Sequence, residues 1–167
     1  MAFFDISGEF KNPVLQVKSH KKTTEVSYSN AAAQDYVITN SNAITVTSGT
    51  TLLVFANYHW WIQENASTTN SFHGRQYLQY EIGGNGTWND ARGVGTATFE
   101  NSNQSSYHLQ NRGELTALNA IYTHGQSTGT SITFRIVHRS VQPDAVDFLV
   151  FQRNSNETNI TIMEVGA

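Results

Sequence analysis

The segment TLLVFANYHWWIQ, residues 51–63, has the composition of a β-strand, yet it is apolar on both of its faces. Successive residues of a strand point to opposite sides. One side of this strand carries Leu52, Val54, Ala56, Tyr58 and Trp60. The other side carries Leu53, Phe55, Asn57, His59 and Trp61. A strand of an antiparallel sandwich needs only one buried face, so the second face of this strand needs a cover of its own.

The composition limits the classes of protein to which this chain can belong. Its 167 residues suit one domain, and the absence of cysteine excludes disulfides, thiol catalysis and thiolate metal sites. A net charge of -3 gives no electrostatic attraction for nucleic acid or anionic lipid. The opening MAFFDISGEF lacks the features of a secretory signal, and no apolar run is long enough to span a bilayer. We therefore expect neither a nucleic-acid partner nor a membrane partner.

Short alternating segments separated by Gly- and Asn-rich turns recur along the chain, which is typical of an all-β sandwich. The pattern predicts an antiparallel two-sheet jelly-roll sandwich of about ten strands over residues 13–167, preceded by a short amino-terminal arm at residues 1–12. The segment 64–74 is predicted to be a long exposed loop. The predicted strands lie near residues 14–18, 23–28, 43–47, 51–62, 76–83, 95–100, 114–124, 131–139, 147–153 and 159–165.

Later strands repeat the two-sided pattern of residues 51–63. A contiguous apolar patch on the outside of a sheet usually marks an association surface. One hypothesis is that the outer face of one sheet packs against further copies of the same chain. The alternative is that another segment, such as the arm, covers that face. The residues predicted to form the interface between copies are Leu53, Phe55, His59, Trp61, Leu149, Phe151 and Met163.

The carboxyl-terminal third carries a resemblance to a known family. The runs TGTSITFRIVHRS (residues 128–140) and DFLVFQRNSNETNITIMEVGA (residues 147–167) resemble the end of trimeric jelly-roll modules of the tumour necrosis factor/complement type. More narrowly, they look like the versions in bacteriophage virion proteins, which finish with a Thr-Ile/Leu-Met-Glu-Ile/Val-Gly pattern. Here that pattern is Thr161, Ile162, Met163, Glu164, Val165 and Gly166. The resemblance covers residues 114–167 and is loose before them.

The resemblance implies a homotrimer with its carboxyl-terminal strand near the three-fold axis. It also implies a structural role in a phage particle, as a capsid decoration (cement) protein that stabilises the head. Such a protein is made in the host cytoplasm and sits on the capsid exterior, where its partners are its own copies and the major capsid protein. The arm, with Phe3, Phe4 and Phe10, is a candidate capsid contact, although it could equally cover its own sheet.

Two other functions remain open. One is the receptor-binding head of a tail fibre or spike. The other is a carbohydrate-binding, lectin-like module, in which Trp88 of the turn GTWND is a possible glycan contact.

Catalysis is not expected. None of the six histidines lies in a metal-binding spacing, and no G-x-S-x-G nucleophile motif occurs. Glu81, Asp90 and Glu100 lie near Gly-rich turns, but each suits a strand end or a turn. We predict no enzyme activity, no metal and no cofactor.

Overall fold

The computed structural model describes residues 3–4, 10–11, 13–31, 34–63, 73–91, 98–100, 112–140, 146–152 and 156–166. Every regular element among these residues is a strand, and all the strand pairs are antiparallel. The strands are β1 (Phe3–Phe4), β2 (Phe10–Lys11), β3 (Val14–Lys22), β4 (Val26–Ala31), β5 (Asp35–Asn40), β6 (Ile44–Thr45), β7 (Thr51–Gln63), β8 (His73–Ile82), β9 (Asn89–Asp90), β10 (Thr98–Glu100), β11 (Arg112–Thr123), β12 (Ser131–Ser140), β13 (Val146–Phe151) and β14 (Thr158–Val165).

The strands form two large sheets. The first sheet has the order β3-β14-β7-β11, and the second has the order β10-β8-β12-β5. Strand β7 is long enough to pair on one side with β14 at residues 51–57 and with β13 at residues 60–63, while β11 pairs along its other side. Strand β4 extends the first sheet beyond β13, and the short strands β6 and β9 pair with β12 and β8 of the second sheet.

This strand order is that of a jelly roll. The eight principal strands are, in chain order, β3, β5, β7, β8, β10, β11, β12 and β14. The first, eighth, third and sixth of these form the first sheet. The second, seventh, fourth and fifth form the other sheet. Two interlocked Greek keys produce this arrangement. The predicted fold class, an all-β antiparallel jelly-roll sandwich, is therefore confirmed.

The core lies between the two sheets and follows the alternation of their strands. The even-numbered residues 52–60 of β7 are buried, and those of β12 from 132 to 138 are fully buried. The odd-numbered residues of β7 lie on the outer face, where Phe55 is 45% exposed. Burying a large apolar side chain contributes about 1.5–3 kcal/mol, so these inner faces stabilise the sandwich.

The predicted strands differ from the structure in one principal place. Strand β5 was not predicted, because its short apolar alternation lies between two Ser-Asn pairs, at residues 29–30 and 41–42, which are typical of turns. Of the predicted loop 64–74, residues 64–72 lie outside the described residues. Residues 73–74 are a correction, because they belong to β8 and pair with β10. The residues described within the predicted arm form a small sheet of their own, in which Phe4 pairs with Phe10. The division into arm and domain stays a prediction.

Candidate functional site

A row of four apolar residues crosses the outer face of the first sheet at right angles to its strands. The register places Val17 of β3 opposite Met163 of β14, Met163 opposite Leu53 of β7, and Leu53 opposite Ile121 of β11. These four residues are called the apolar row below. Cross-strand neighbours on one face lie about 4.5–5.5 Å apart, so the row is continuous across the sheet.

Exposed apolar side chains concentrate on this face. Among the described residues, five large apolar side chains are exposed. Four lie on the outer face of the first sheet: Leu15 (48%), Val17 (52%), Phe55 (45%) and Ile121 (67%). The fifth, Val37, lies on the second sheet. Scattered exposed apolar residues are ordinary, but a contiguous set on one face marks an interaction surface.

Hydroxyl groups border the apolar row on both sides. On one side the Ser19 Oγ and Thr161 Oγ1 atoms lie 3.1 Å apart. On the other side the Thr51 Oγ1 and Thr123 Oγ1 atoms lie 3.4 Å apart. An apolar centre with a polar border is the usual anatomy of a protein interface.

The structure brings several of the predicted interface residues together. Leu53 and Met163 belong to the apolar row. Phe55 is the next residue of β7 on the same face as Leu53. His59 and Trp61 follow on that face, where each is half-buried. That these residues contact another copy stays a prediction.

Phe151 is a correction to the predicted interface. It is 1% exposed and lies in the core, where its ring centroid is 5.6 Å from that of His138 and 6.2 Å from that of Tyr58. Alternation separates the two faces of β13, but only the register with β7 decides which face is inner. Phe151 pairs with the buried Trp60, and therefore shares its inward side. Leu149 pairs with Ile62, and its side chain is not among those described.

Glu164 of the carboxyl-terminal motif is fully buried and holds one end of the sandwich together. Its carboxylate accepts hydrogen bonds from Gln16 Nε2 (2.5 Å), the Thr47 backbone N–H (2.6 Å) and Thr50 Oγ1 (2.7 Å). Burial raises the pKa of Glu164, but the hydrogen bonds from Gln16, Thr47 and Thr50 outweigh it and leave the pKa below its ordinary value. The role of the glutamate was not evident from the sequence.

His124 extends this buried network. The Gln126 backbone N–H donates to His124 Nδ1 at 3.3 Å, which leaves the proton of the neutral ring on Nε2. The Nε2–H group then donates to Thr50 Oγ1 at 2.9 Å, and the Thr50 hydroxyl donates to Glu164. Burial lowers the pKa of His124, with partial opposition from the Glu164 charge. The network is structural and ties the turns at 46–50 and 124–130 to β3 and β14.

His138 is a second buried histidine, at the centre of the aromatic core. Its Nδ1 atom lies 3.0 Å from Tyr58 Oη, and its ring centroid lies 5.5 Å from that of Trp60. Burial lowers the pKa of His138 to about 3, so the side chain is neutral in the folded protein over most of the acid range.

We expect His138 to make the fold sensitive to acid. The unfolded chain takes up a proton near the ordinary pKa of 6.5, whereas the folded protein resists protonation down to about 3. Stability is therefore fully present above pH 6.5 and falls below it, by up to roughly 1.4 kcal/mol per pH unit. The free energy of unfolding, measured by urea denaturation from pH 8 to pH 4, should fall less steeply in His138→Phe. His20→Gln is the control and should keep the wild-type slope; equal slopes in wild type and His138→Phe would contradict this assignment.

The predicted glycan contact, Trp88, is half-buried in the turn between β8 and β9. The Arg135 guanidinium lies over its ring, 4.1 Å from the centroid. Arg135 Nε donates to Gln79 Oε1 at 2.9 Å, and Gln79 Nε2 donates to Asp90 Oδ1 at 3.0 Å. Arg135 thus covers one face of the indole, and a sugar ring could stack only on the other face.

The other predicted sites add little chemistry. Within the described part of the chain, no group of three or more His, Asp or Glu side chains could hold a metal ion. Glu81 accepts a hydrogen bond from the Gly86 backbone N–H at 3.1 Å, a turn contact. The side chains of Phe3, Phe4, Phe10 and Glu100 lie outside those described. The described residues include no apolar helix of membrane-spanning length.

The chain is therefore a jelly-roll sandwich in which the outer face of the first sheet is apolar. No family model matches the sequence, and no curated protein does either. Among solved structures, the chain is similar to the structure of the infectious bursal disease virus Gx strain, at 12% identity and a TM-score of 0.40, over 99% of this chain and 44% of that one. It is similar at 11% identity and a TM-score of 0.38 to the VP2 subviral particle of the same virus, over 94% of this chain and 41% of that one.

A third similar structure is a family 35 carbohydrate binding module from Clostridium thermocellum. The identity is 12% and the TM-score 0.20, over 77% of this chain and 97% of that one. The chain spans less than half of the two viral chains. The strand order within the chain itself, and not these distant likenesses, carries the assignment of the fold.

Proposed function

We propose that this chain is a structural protein of a bacteriophage particle. It acts as a homotrimer that decorates the outside of the capsid, binds the major capsid protein and stabilises the head, with no catalytic activity. The observation that carries the proposal is the apolar row, which favours association of identical copies. The resemblance of residues 114–167 to trimeric phage modules supports the number three and the location.

The exposed apolar side chains on the outer face of the first sheet favour a covered surface. Each large side chain left in water forgoes roughly 1.5–3 kcal/mol relative to full burial. Leu15, Val17, Phe55 and Ile121 lie on one face, so a single contact could cover them together. Closed cyclic symmetry suits such a patch, because a ring leaves no adhesive surface uncovered.

The arm is the candidate link to the capsid. In the described residues, β1 and β2 pair with each other and with neither large sheet. Phe3, Phe4 and Phe10 would give each trimer three equivalent apolar anchors. Three linked contacts raise the effective concentration, so modest individual affinities suffice for stable attachment.

Removal of the arm tests the capsid role. Deleting residues 2–10 is expected to leave the trimer intact but to abolish its binding to capsids stripped of this protein, measured by co-sedimentation. Replacing Phe3, Phe4 and Phe10 together by Ser should have the same effect, whereas Lys11→Ser serves as the matched control. Undiminished co-sedimentation of the deletion variant would contradict the anchor role.

The receptor-binding head and the carbohydrate-binding module are the rival functions. The copy number per particle separates the first, because a decoration protein covers the shell and a fibre head is present in few copies. The second would use Trp88, whose indole is held by Arg135 beside Gln79 and Asp90, an aromatic surface with a polar border. Carbohydrate binding is therefore the second candidate function.

A further inference from the structure

The turn between β8 and β9 contains the sequence GGNGT at residues 83–87. Asn85 is the only asparagine of the chain that a glycine follows. The side-chain amide of an asparagine can be attacked by the backbone nitrogen of the next residue, because both groups are held close together on the chain. A glycine in that next position has no side chain to obstruct the attack. The sequence therefore favours residues 85–86 for such a cyclisation.

The structure leaves the attacking nitrogen accessible. Asn85, Gly86 and Thr87 are all exposed. Gly86 has a φ of +76°, and a Cβ built on it would meet no atom within 4 Å other than those of its neighbours in the chain. This left-handed backbone conformation favours glycine, so residue 86 combines an open surrounding with the smallest side chain.

Two hydrogen bonds prepare the reacting groups. The Gly86 backbone N–H, whose nitrogen is the attacking atom, donates to Glu81 Oε2 at 3.1 Å. The Thr87 backbone N–H donates to Asn85 Oδ1 at 2.8 Å, and this oxygen gains negative charge when the amide carbon is attacked. A base within hydrogen-bond distance of the proton and a donor directed at the developing oxyanion both favour addition to a carbonyl group.

We propose that Asn85 and Gly86 form a self-modification site at which Glu81 acts as the general base. Glu81 takes the proton from the Gly86 nitrogen as that nitrogen forms a bond to Asn85 Cγ. The proton then passes to the side-chain nitrogen, whose bond to Cγ breaks, so that ammonia leaves and a succinimide ring remains. Water opens the ring at either carbonyl and gives aspartate or isoaspartate. The chain reacts once with itself, without an oxidant or a cofactor, and the inference does not depend on the proposed function.

The products alter the segment that leads to Trp88. Aspartate adds a negative charge near Glu81, and isoaspartate lengthens the backbone because the chain then runs through the side chain of residue 85. The Trp88 ring lies against the Arg135 guanidinium, 4.1 Å from its centroid, a short way along the chain. The modification therefore changes the charge and the length of the turn that positions the predicted glycan contact.

Peptide mapping by mass spectrometry tests the site in the purified full-length protein, incubated at physiological temperature and pH. The peptide that contains residue 85 should become heavier by the difference between water and ammonia, and should separate into an aspartate and an isoaspartate form. Glu81→Gln keeps the shape of the side chain but removes the base, so it should slow the conversion by about tenfold or more. Glu157→Gln removes a carboxylate from the first sheet instead, and as the matched control should keep the wild-type rate.

The second measurement compares the folded wild-type protein with the same protein unfolded in guanidinium chloride. Unfolding removes the hydrogen bonds of Glu81 and Thr87, so the folded protein should convert faster. An unchanged or faster conversion in Glu81→Gln, or a faster conversion in the unfolded chain, would overturn the role of Glu81. A wild-type peptide that keeps its mass throughout would overturn the site itself.

Discussion

Leu53→Lys is expected to dissociate the trimer into monomers of 18.6 kDa. Leu53 lies at the centre of the apolar row, between Met163 and Ile121, so the substitution places three like charges in the contact between copies. An unpaired charge buried at an interface costs several kcal/mol, and the trimer would carry three of them in one contact. Size-exclusion chromatography with light scattering measures the change in mass.

Val37→Lys is the matched control for this substitution. Val37 is also an exposed apolar residue, at 43%, but it lies on the second sheet. The control should keep the mass of the wild-type protein. If Leu53→Lys also kept that mass, with an unchanged far-ultraviolet circular dichroism spectrum, the outer face of the first sheet would not be the interface.

Phe151→Ala is expected to reduce the free energy of unfolding by about 3–5 kcal/mol, because removal of a buried aromatic ring leaves a cavity in the core. The ring packs among Tyr28, Tyr36, Tyr58 and His138, and the surrounding rings cannot collapse fully into the space. Urea denaturation measures the loss.

Phe55→Ala is the control on the same sheet. Phe55 is 45% exposed on the outer face, so its truncation should cost the isolated fold less than about 1 kcal/mol and act mainly on assembly. A small loss of stability in Phe151→Ala, combined with dissociation of the trimer, would instead return Phe151 to the interface.

The sequence predicted the fold class because alternation is a local property. The apolar residues of β7 separate into two sets by parity, and the structure keeps both sets on opposite faces. Parity does not say which set is inner. For β7 the assignment of Leu53 and Phe55 to the outer face was correct. For β13 the same reasoning placed Phe151 outside, because its register with β7 could not be obtained from the sequence.

The buried network around Glu164 shows the other limit of sequence reasoning. The carboxylate contacts Gln16, Thr47 and Thr50, which are 148, 117 and 114 residues away along the chain. The terminal motif contains the glutamate, but Gln16 becomes its neighbour only when β3 pairs with β14, and Thr47 and Thr50 only when β14 pairs with β7. Strand β5 was missed for a local reason, since it is only six residues long and a Ser-Asn pair, typical of turns, lies on each side of it.

The mass of the wild-type protein in solution tests the central claim most directly. Light scattering should give three times 18.6 kDa, about 56 kDa, because the apolar row and its exposed neighbours are covered by identical copies. A stable species of 18.6 kDa at micromolar concentration would show that this face remains in water, and would contradict the account.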